Sequence, residues 1–566
     1  MNTFFTLLFL IVTNGIVAQS VNFAHAYGGS DYDYGSTVTS DSAGNIYTGG
    51  YFRGLVDFDQ SVNVNQLDSY GTRDGFILKL DAAGNFIWVK QMACTNPVYI
   101  QKIILNDLGE IYVAGLFRGT MTLETTTGTT DLVSSGNFDA FVLKLDANGD
   151  LIWGQKFGSH GRDEAIDLIL EPNGNLLVVG GFLRTVDFDN SSNEFQLTSF
   201  STENADIFLL KLSPDGDFIW VKQFGGTGED YAESITVGQS GAIYMTGYYK
   251  RGEADFDPGP DTYILPNPGT FDKIFVVKLT AEGNFVWAKQ TDGFHLTRGN
   301  AIEVDTNENV YIGGYFYATQ DFNPDPNEVF ELHNDNLADI FIWKLDTYGN
   351  FISVQQIANS SWSQIYGSAK NAQGDIYFLG EYHEALDFNF SGGSHIMTSV
   401  GQAFDMFVLK YNQNDSFGGA ISIGGENLIN GTGIHISNQG NILVTGGFYA
   451  EAITIDTGQD ALTLDNIGLY DAFILSFGDA ALSVQEPFLE NNIQYFPNPV
   501  SHTLTIDSKN EINEIAVYDM LGKLVMKFSD FLKERIELDF SSLSNGLYQI
   551  LLKDDNSVWP IKILKH

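Results

Sequence analysis

Cysteine is almost absent: Cys94 is the single one in 566 residues. No intramolecular disulfide can form, so packing alone must hold the fold, although an exported chain could use disulfides. A lone thiol with no evident partner reads as a small buried hydrophobe rather than a nucleophile. Positive charge is scarce too. There are 29 Lys and Arg against 71 Asp and Glu, a formal net charge of −42. Such a surface repels phosphate backbones and anionic membranes, which argues against nucleic acid as a ligand. No uninterrupted apolar run reaches the roughly 20 residues a membrane-spanning helix needs, so no transmembrane segment is expected. The nine histidines form no H-E-x-x-H or other metal-ligand spacing. There is no G-x-S-x-G elbow and no repeated S-x-D-x-G-x-T-W box. Catalysis leaves no signature here.

What the chain does have is 13% aromatic residues and 59 glycines. That profile suits an all-β protein with many tight turns. Residues 1–18 read as a secretory signal: the apolar run Phe4–Val12 is too short to span a bilayer, and small residues follow it. Cleavage after Ala18 or after Ser20 both fit. No cysteine stands there to carry a lipid anchor, so a soluble exported protein is expected.

A repeat of about 66 residues occupies most of the chain. Its first anchor reads GNIYTGGYF from Gly44, GEIYVAGLF from Gly109 and GNLLVVGGF from Gly174. It returns as GAIYMTGYY from Gly241, ENVYIGGYF from Glu308, GDIYFLGEY from Gly374 and GNILVTGGF from Gly440. A second anchor follows about thirty residues later each time, as in DGFILKL from Asp74, DIFLLKL from Asp206 and DAFILSF from Asp471. Each unit reads as four strands joined by Asn-Gly or Asp-Gly turns, strong hairpin signals. The strands are continuous apolar runs, so both faces of each sheet should be covered, as stacked blades would do. The seventh unit lacks a fourth strand. The segment VNFAHAYGG at Val21–Gly29, out of phase before the first unit, resembles that missing strand. A seven-bladed β-propeller over 19–481, its last blade completed by the N-terminal strand, is therefore expected.

These units resemble the SBBP repeat, a seven-bladed β-propeller repeat family of bacterial secreted proteins. The pattern GG-x-x-x-D, apolar strand, then GN-I/V-Y-V-x-G is met at Gly225–Gly247 and in most other units. The resemblance implies architecture and assigns no activity.

Residues 482–494 read as a linker, and 495–566 as a small β-sandwich. Its motifs are YFPNPVSHTLTI from Tyr495, EIAVYDMLGKLV from Glu514 and LSNGLYQILLK from Leu543. This tail resembles the type A sorting domain of the type IX secretion system of Bacteroidetes. The matching positions are Phe496, Pro497, Asn498 and Pro499 at the entry, Tyr518, Asp519 and Gly522 in the middle, Gly546, Leu547 and Tyr548 in the last hairpin, and the terminal Lys562 and Lys565. The resemblance implies the type IX machinery as partner, passage across the outer membrane, tail removal, and release or attachment at the cell surface. From Ser483 onward eight basic oppose twelve acidic residues, a charge of −4, which leaves −38 on the repeats.

Two recurring constellations could carry chemistry. The DFD-type loops (DFDPGPD from Asp255, DFNPDPNE from Asp321) space oxygen ligands as Ca²⁺ prefers. Asp255, Asp257, Asp261, Asp321 and Asp325 are thus candidate calcium ligands. The alternative is a strand-end turn with phenylalanine inward and acids solvated. Trp88, Trp153, Trp220 and Trp287 recur in the fourth strands, where position-locked recurrence points to packing between blades rather than a sugar platform. Two functions follow. The favoured one is a non-catalytic propeller binding an extracellular glycan or protein. The other is a polysaccharide- or peptide-cleaving enzyme that uses carboxylates on the propeller face.

Overall fold

The structure is a computed structural model that describes residues 21–565, except 335–336, 359–360, 402, 426–427, 450–451, 457–460, 483–492, 497–499, 501, 520–523, 545 and 554–557. The leader therefore lies outside the described residues, as do Pro497, Asn498, Pro499 and Gly522. The chain divides into two compact units, Met1–Ser483 and Val484–His566.

The first unit is all-β and repeats one device. In the third repeat Glu164–Leu170, Leu176–Phe182, Asp206–Leu212 and Phe218–Gly226 pair antiparallel in chain order. The same order recurs in sheets whose first strands are Tyr34–Ser40, Val98–Leu105, Asp230–Val237, Thr297–Val304 and Ser363–Lys370. In the sheet that begins with Ile429–Ile436, the fourth strand is Val21–Tyr27, antiparallel to Asp471–Gly478 with Ala24 opposite Leu475. First strands touch one another in sequence order, and Ile429–Ile436 touches Tyr34–Ser40. Hydrogen bonds link them: Ile103 N donates to Thr37 Oγ1 (3.2 Å), and Thr432 Oγ1 donates to Gly35 O (2.7 Å).

The apolar runs explain this layering. All seven positions of Leu176–Phe182 and of Asp206–Leu212 are buried, because neighbouring sheets cover both faces. A fully buried Leu, Val or Ile contributes about 1.5–3 kcal/mol. The hairpin turns are set by aspartate and glycine. Asp146 Oδ1 accepts from Asn148 N and Asp150 N (2.8 and 2.9 Å), and Gly149 takes φ +84°. The fourth-strand tryptophans are seams between sheets. Trp153 lies over the turn glycine Gly216 and donates Nε1–H to Pro214 O at 3.2 Å. Trp287 lies over Gly349 and donates to Thr347 O at 3.1 Å.

The loop between second and third strands holds a feature the residue pattern hid. Short hairpins form there, such as Leu55–Asp57 with Gln66–Asp68 and Thr185–Asp187 with Gln196–Thr198. Three-residue strands are too short to show a period.

In the second unit Ile493–Phe496, Thr503–Asp519, Leu524–Asp539, Gly546–Lys553 and Val558–Lys565 form one hydrogen-bonded sheet. The long strand Thr503–Asp519 changes register between Asp507 and Ile512. Leu504 and Ile506 from its first half share a core with Ile515, Val517 and Ile550. The single described helical element is a 3-10 turn, Asp479–Leu482. No helix among the described residues is long and apolar enough to cross a membrane.

Candidate functional site

Every first strand of the repeat region carries a β-bulge at the same place. Pairing with the second strand shifts between Gly35 and Thr37, Ile100 and Lys102, Ala165 and Asp167, and Ala232 and Ser234. It shifts likewise between Gly299 and Ala301, Ile365 and Gly367, and Gly431 and Gly433. A bulge leaves one residue unpaired and re-aims its side chain. Opposite each bulge stands a glycine of the first anchor. At Gly247 a Cβ would collide with the carbonyl oxygen of Tyr231, and at Gly180 with that of Glu164. The same carbonyl approach recurs at Gly50, Gly115, Gly314, Gly380 and Gly446. The repeated glycine is therefore the counterpart of the bulge: without it the first strand could not bow inward.

The unpaired residues are Ser36, Gln101, Ile166 and Glu233 in the first four repeats, then Asn300, Tyr366 and Thr432. All of them line one cavity of about 420 Å³, within the roughly 300–1,000 Å³ of small-molecule sites. Glycine, bulge and strand repeat, whereas the side chain presented differs each time. Enzymes and binding proteins built on repeats place function where the repeat is broken, and this is such a place.

Lys102 and Asp167 form an ion pair of 3.2 Å inside the cavity. Asp167 Oδ2 also accepts from Ile235 N (3.1 Å) and Ser234 Oγ (3.3 Å). Outside the wall, Glu164 is held by Arg162 at 2.8 Å, and Glu381 accepts from Gln364 Nε2 at 2.7 Å. Glu233 differs from these: it accepts no hydrogen bond from any described residue. Burial pushes its carboxyl up to about 7, with Glu164 adding to the rise and Arg298 opposing it. Further along the axis His435 bonds Ser40 Oγ at 3.0 Å, and its imidazole is held down to about 4 by burial and then by Lys102.

One aromatic crescent borders the cavity and a second lies near Glu233. In one, Tyr34 stacks on Tyr51 (5.6 Å between ring centres), Tyr51 meets Tyr99 edge-on, and Tyr470 covers Tyr34. Arg73 lies 5.2 Å over Tyr51 and donates to Tyr99 Oη at 2.7 Å. In the other, Tyr231 packs on Tyr248, and Tyr315 on Trp362. Arg298 lies 3.9 Å over Tyr248 while donating to Asp272 at 2.6 Å. Guanidinium on tyrosine faces is cation–π packing that fixes both partners.

The residues singled out from the chain lie elsewhere. Asp255 Oδ1 accepts from Asp257 N and Tyr263 N (3.0 and 2.9 Å), and Asp257 Oδ1 from Gly259 N (2.8 Å). Asp321 Oδ1 accepts from Asn323 N and Phe330 N, and Asp325 Oδ1 from Asn327 N. The phenylalanines between, Phe256 and Phe322, are fully buried. These carboxylates thus hold their own loops closed. Asp261 is exposed, and no group of three or more His, Cys, Asp or Glu with metal-binding geometry occurs among the described residues. Cys94 is buried, with its thiol 3.1 Å from Arg118 O and pushed up to about 11 by burial, which makes it inert. In the tail, Phe496, Tyr518, Asp519, Gly546, Leu547, Tyr548, Lys562 and Lys565 lie on strands of its one sheet. Tyr548 is buried, its hydroxyl donating to Ser544 O at 2.8 Å.

The chain thus joins an all-β unit of propeller-like four-stranded repeats, with one cavity lined from every repeat, to a small C-terminal β unit. Residues 494–566 match the family described as secretion system C-terminal sorting domain. The tail is a type IX sorting domain, and the protein is an exported one, secreted or carried on the cell surface. The chain is 22% identical over 398 residues to an uncharacterized WD repeat-containing protein of Acanthamoeba polyphaga mimivirus, covering 59% of this chain and 28% of that one. It is 26% identical over 271 residues to the regulatory protein FlaEY of Caulobacter vibrioides, covering 45% of this chain and 27% of that one. The chain thus spans about a quarter of the length of these curated relatives. Among solved structures, Sqt1 from Chaetomium thermophilum aligns over 81% of this chain and 100% of its own, at 10% identity and a TM-score of 0.31. That likeness is too loose to bear on the fold.

Proposed function

We propose that the repeats close into a seven-bladed β-propeller of the SBBP type and that the exported protein is a non-catalytic binding module. Its ligand, an extracellular glycan or protein, enters the cavity between the two aromatic crescents. Closure is supported by the pairing of Val21–Tyr27 with Asp471–Gly478 and by the contact of Ile429–Ile436 with Tyr34–Ser40. The single observation that carries the binding role is the set of bulges, which turns a different side chain from each repeat into one cavity. A glycan-array and peptide-array screen tests it, with Tyr51→Ala and Asn300→Ala as controls. The expected result is a ligand whose capture both variants weaken; capture unaffected by either would overturn the site.

A second reading, hydrolysis of a polysaccharide or peptide, draws on Glu233, whose carboxyl burial pushes up to about 7, the range a general acid needs. Turnover that Glu233→Gln abolishes would replace the binding reading. Calcium at the DFD loops would have to use carboxylate oxygens other than those engaged by loop amides. Titration calorimetry with Ca²⁺ tests this, and heat lost in Asp255→Asn would support it.

A further inference from the structure

Resting on the binding reading, we propose that the ligand is an uncharged saccharide and that Glu233 reads it by accepting hydrogen bonds from a pair of its hydroxyls. The carboxylates in the cavity wall and beside it are unequal. Asp167 is supplied by Lys102, Ser234 and Ile235, Glu164 by Arg162, and Glu381 by Gln364. Glu233 is supplied by nothing among the described residues, although a bulge directs it into the cavity wall. A half-buried carboxylate with empty lone pairs is costly, and a ligand that brings donors removes that cost.

The donors are neutral. Positive charge already reaches Glu233 from Arg298, which is itself paired with Asp272 and stacked on Tyr248. The remaining groups that face Glu233 are the carboxylate of Glu164, paired with Arg162, and the phenols of Tyr248 and Tyr315. Deeper in, Lys102 and Asp167 neutralise each other. At the mouth, Arg73 is engaged by tyrosines and Lys250 by Glu229 at 2.8 Å. Among the described residues the cavity wall thus holds no unpaired cation for an acidic sugar or a phosphate; Arg73, outside the wall, is committed to tyrosine faces.

The rest of the wall has the same chemistry. Ser36 and Gln101 offer neutral donors and acceptors, Asn300, Tyr366 and Thr432 add neutral polar groups that also bond Ile365 O, Gln364 Nε2 and Gly35 O, and Ile166 is the sole apolar residue of the bulge set. The tyrosine faces at the mouth suit the C–H faces of pyranose rings, which carry hydroxyls at their edges. A purely apolar ligand would strand the amides and hydroxyls of the wall. An anionic one would find no unpaired cation in the wall among the described residues.

Binding of this kind favours ionised Glu233, so affinity rises with pH through the value at which the carboxyl titrates. The test uses the exported full chain and a panel of cello-, manno- and xylo-oligosaccharides, beside uronic-acid and sulfated oligosaccharides and peptides. Binding is measured by calorimetry at pH 5.5 and 8.5 on wild type, Glu233→Gln and Tyr51→Ala. The expected result is capture of a neutral oligosaccharide that tightens about tenfold at the higher pH, with that pH dependence lost in Glu233→Gln and capture weakened in Tyr51→Ala. Capture of charged sugars or peptides alone overturns the saccharide assignment and leaves the binding reading standing. Neutral-sugar binding whose pH dependence survives in Glu233→Gln, or that has none in wild type, overturns the role of Glu233. No capture by any probe overturns both.

Discussion

The space between the sheets and the wall of the central cavity are built from the same strands, yet they follow opposite rules. Between sheets, position after position is repeated: tryptophan on turn glycine, phenylalanine under each DFD loop, and a buried aspartate opening most third strands. Along the cavity, backbone geometry repeats and side chains do not. Ser36, Gln101, Ile166, Glu233, Asn300, Tyr366 and Thr432 occupy equivalent bulges and differ in size and shape. Repetition serves stability here, because each interface must be filled to native density. Variation would serve the proposed recognition, because a ligand that does not share the repeat needs unlike neighbours.

That contrast can be broken at several levels of effect. Deleting residues 20–30 removes the strand that pairs with Asp471–Gly478 and uncovers Phe473, Leu475 and Phe477. Thermal melting should fall by more than about 10 °C or lose cooperativity; an unchanged melt would refute closure. Next comes Asp74→Ala. Asp74 accepts from Tyr70 N, Gln91 Nε2 and Cys94 N at 2.7, 2.6 and 3.2 Å. Stranding these donors should cost about 4 kcal/mol in denaturant unfolding. Gly247→Ala pushes a methyl onto the Tyr231 carbonyl. It should cost about 2 kcal/mol and weaken ligand capture as well, since the bulge that aims Glu233 must shift.

A smaller effect comes from pH. Burial raises Asp33, Asp206 and Asp230 to about 7, and Asp163 and Asp405 to about 6. In the unfolded chain these groups ionise near 3.8, so between that pH and about 7 the folded state holds more protons. Stability must then fall as pH rises across this window. Glu308 works the other way. Its hydrogen bonds to Ser240 and Tyr244 and the nearby Lys278 hold it down to about 2 against the opposing effect of burial, so its contribution is lost in acid. Melting temperature should fall from about pH 4 to about pH 7 and level off above it. A rise over that range would mean that the buried aspartates are ionised in the fold.

Much of the scaffold was legible in the chain. The GNIY-type and DGFILKL-type anchors marked second and third strands, Asn-Gly and Asp-Gly marked turns, and Val21–Gly29 was recognisable as a stray fourth strand. Those features are local and periodic. The site was not legible. A bulge is a one-residue slip with no composition of its own, and the attention that repeats attract falls on what recurs. The DFD loops and the tryptophans recur, and they turned out to close loops and seam sheets. A signal for the site did exist: the glycine two residues before the last aromatic of each first anchor (Gly50, Gly180, Gly446) recurs with no turn to explain it, and near the middle of each first strand the residue type never settles. The crescent of Tyr34, Tyr51, Tyr99 and Tyr470 comes from segments far apart in the chain, so folding alone brings it together.

The central claim is that bulged side chains which make no bond to a described residue serve recognition and not stability. The most direct measurement is melting and ligand capture on one double variant, Ser36→Ala and Gln101→Ala, whose side chains line the cavity. The account expects melting within about 4 °C of wild type, as for sites outside the packed core, together with loss of capture. A fall of more than about 10 °C with capture retained at temperatures where the variant is folded would contradict it.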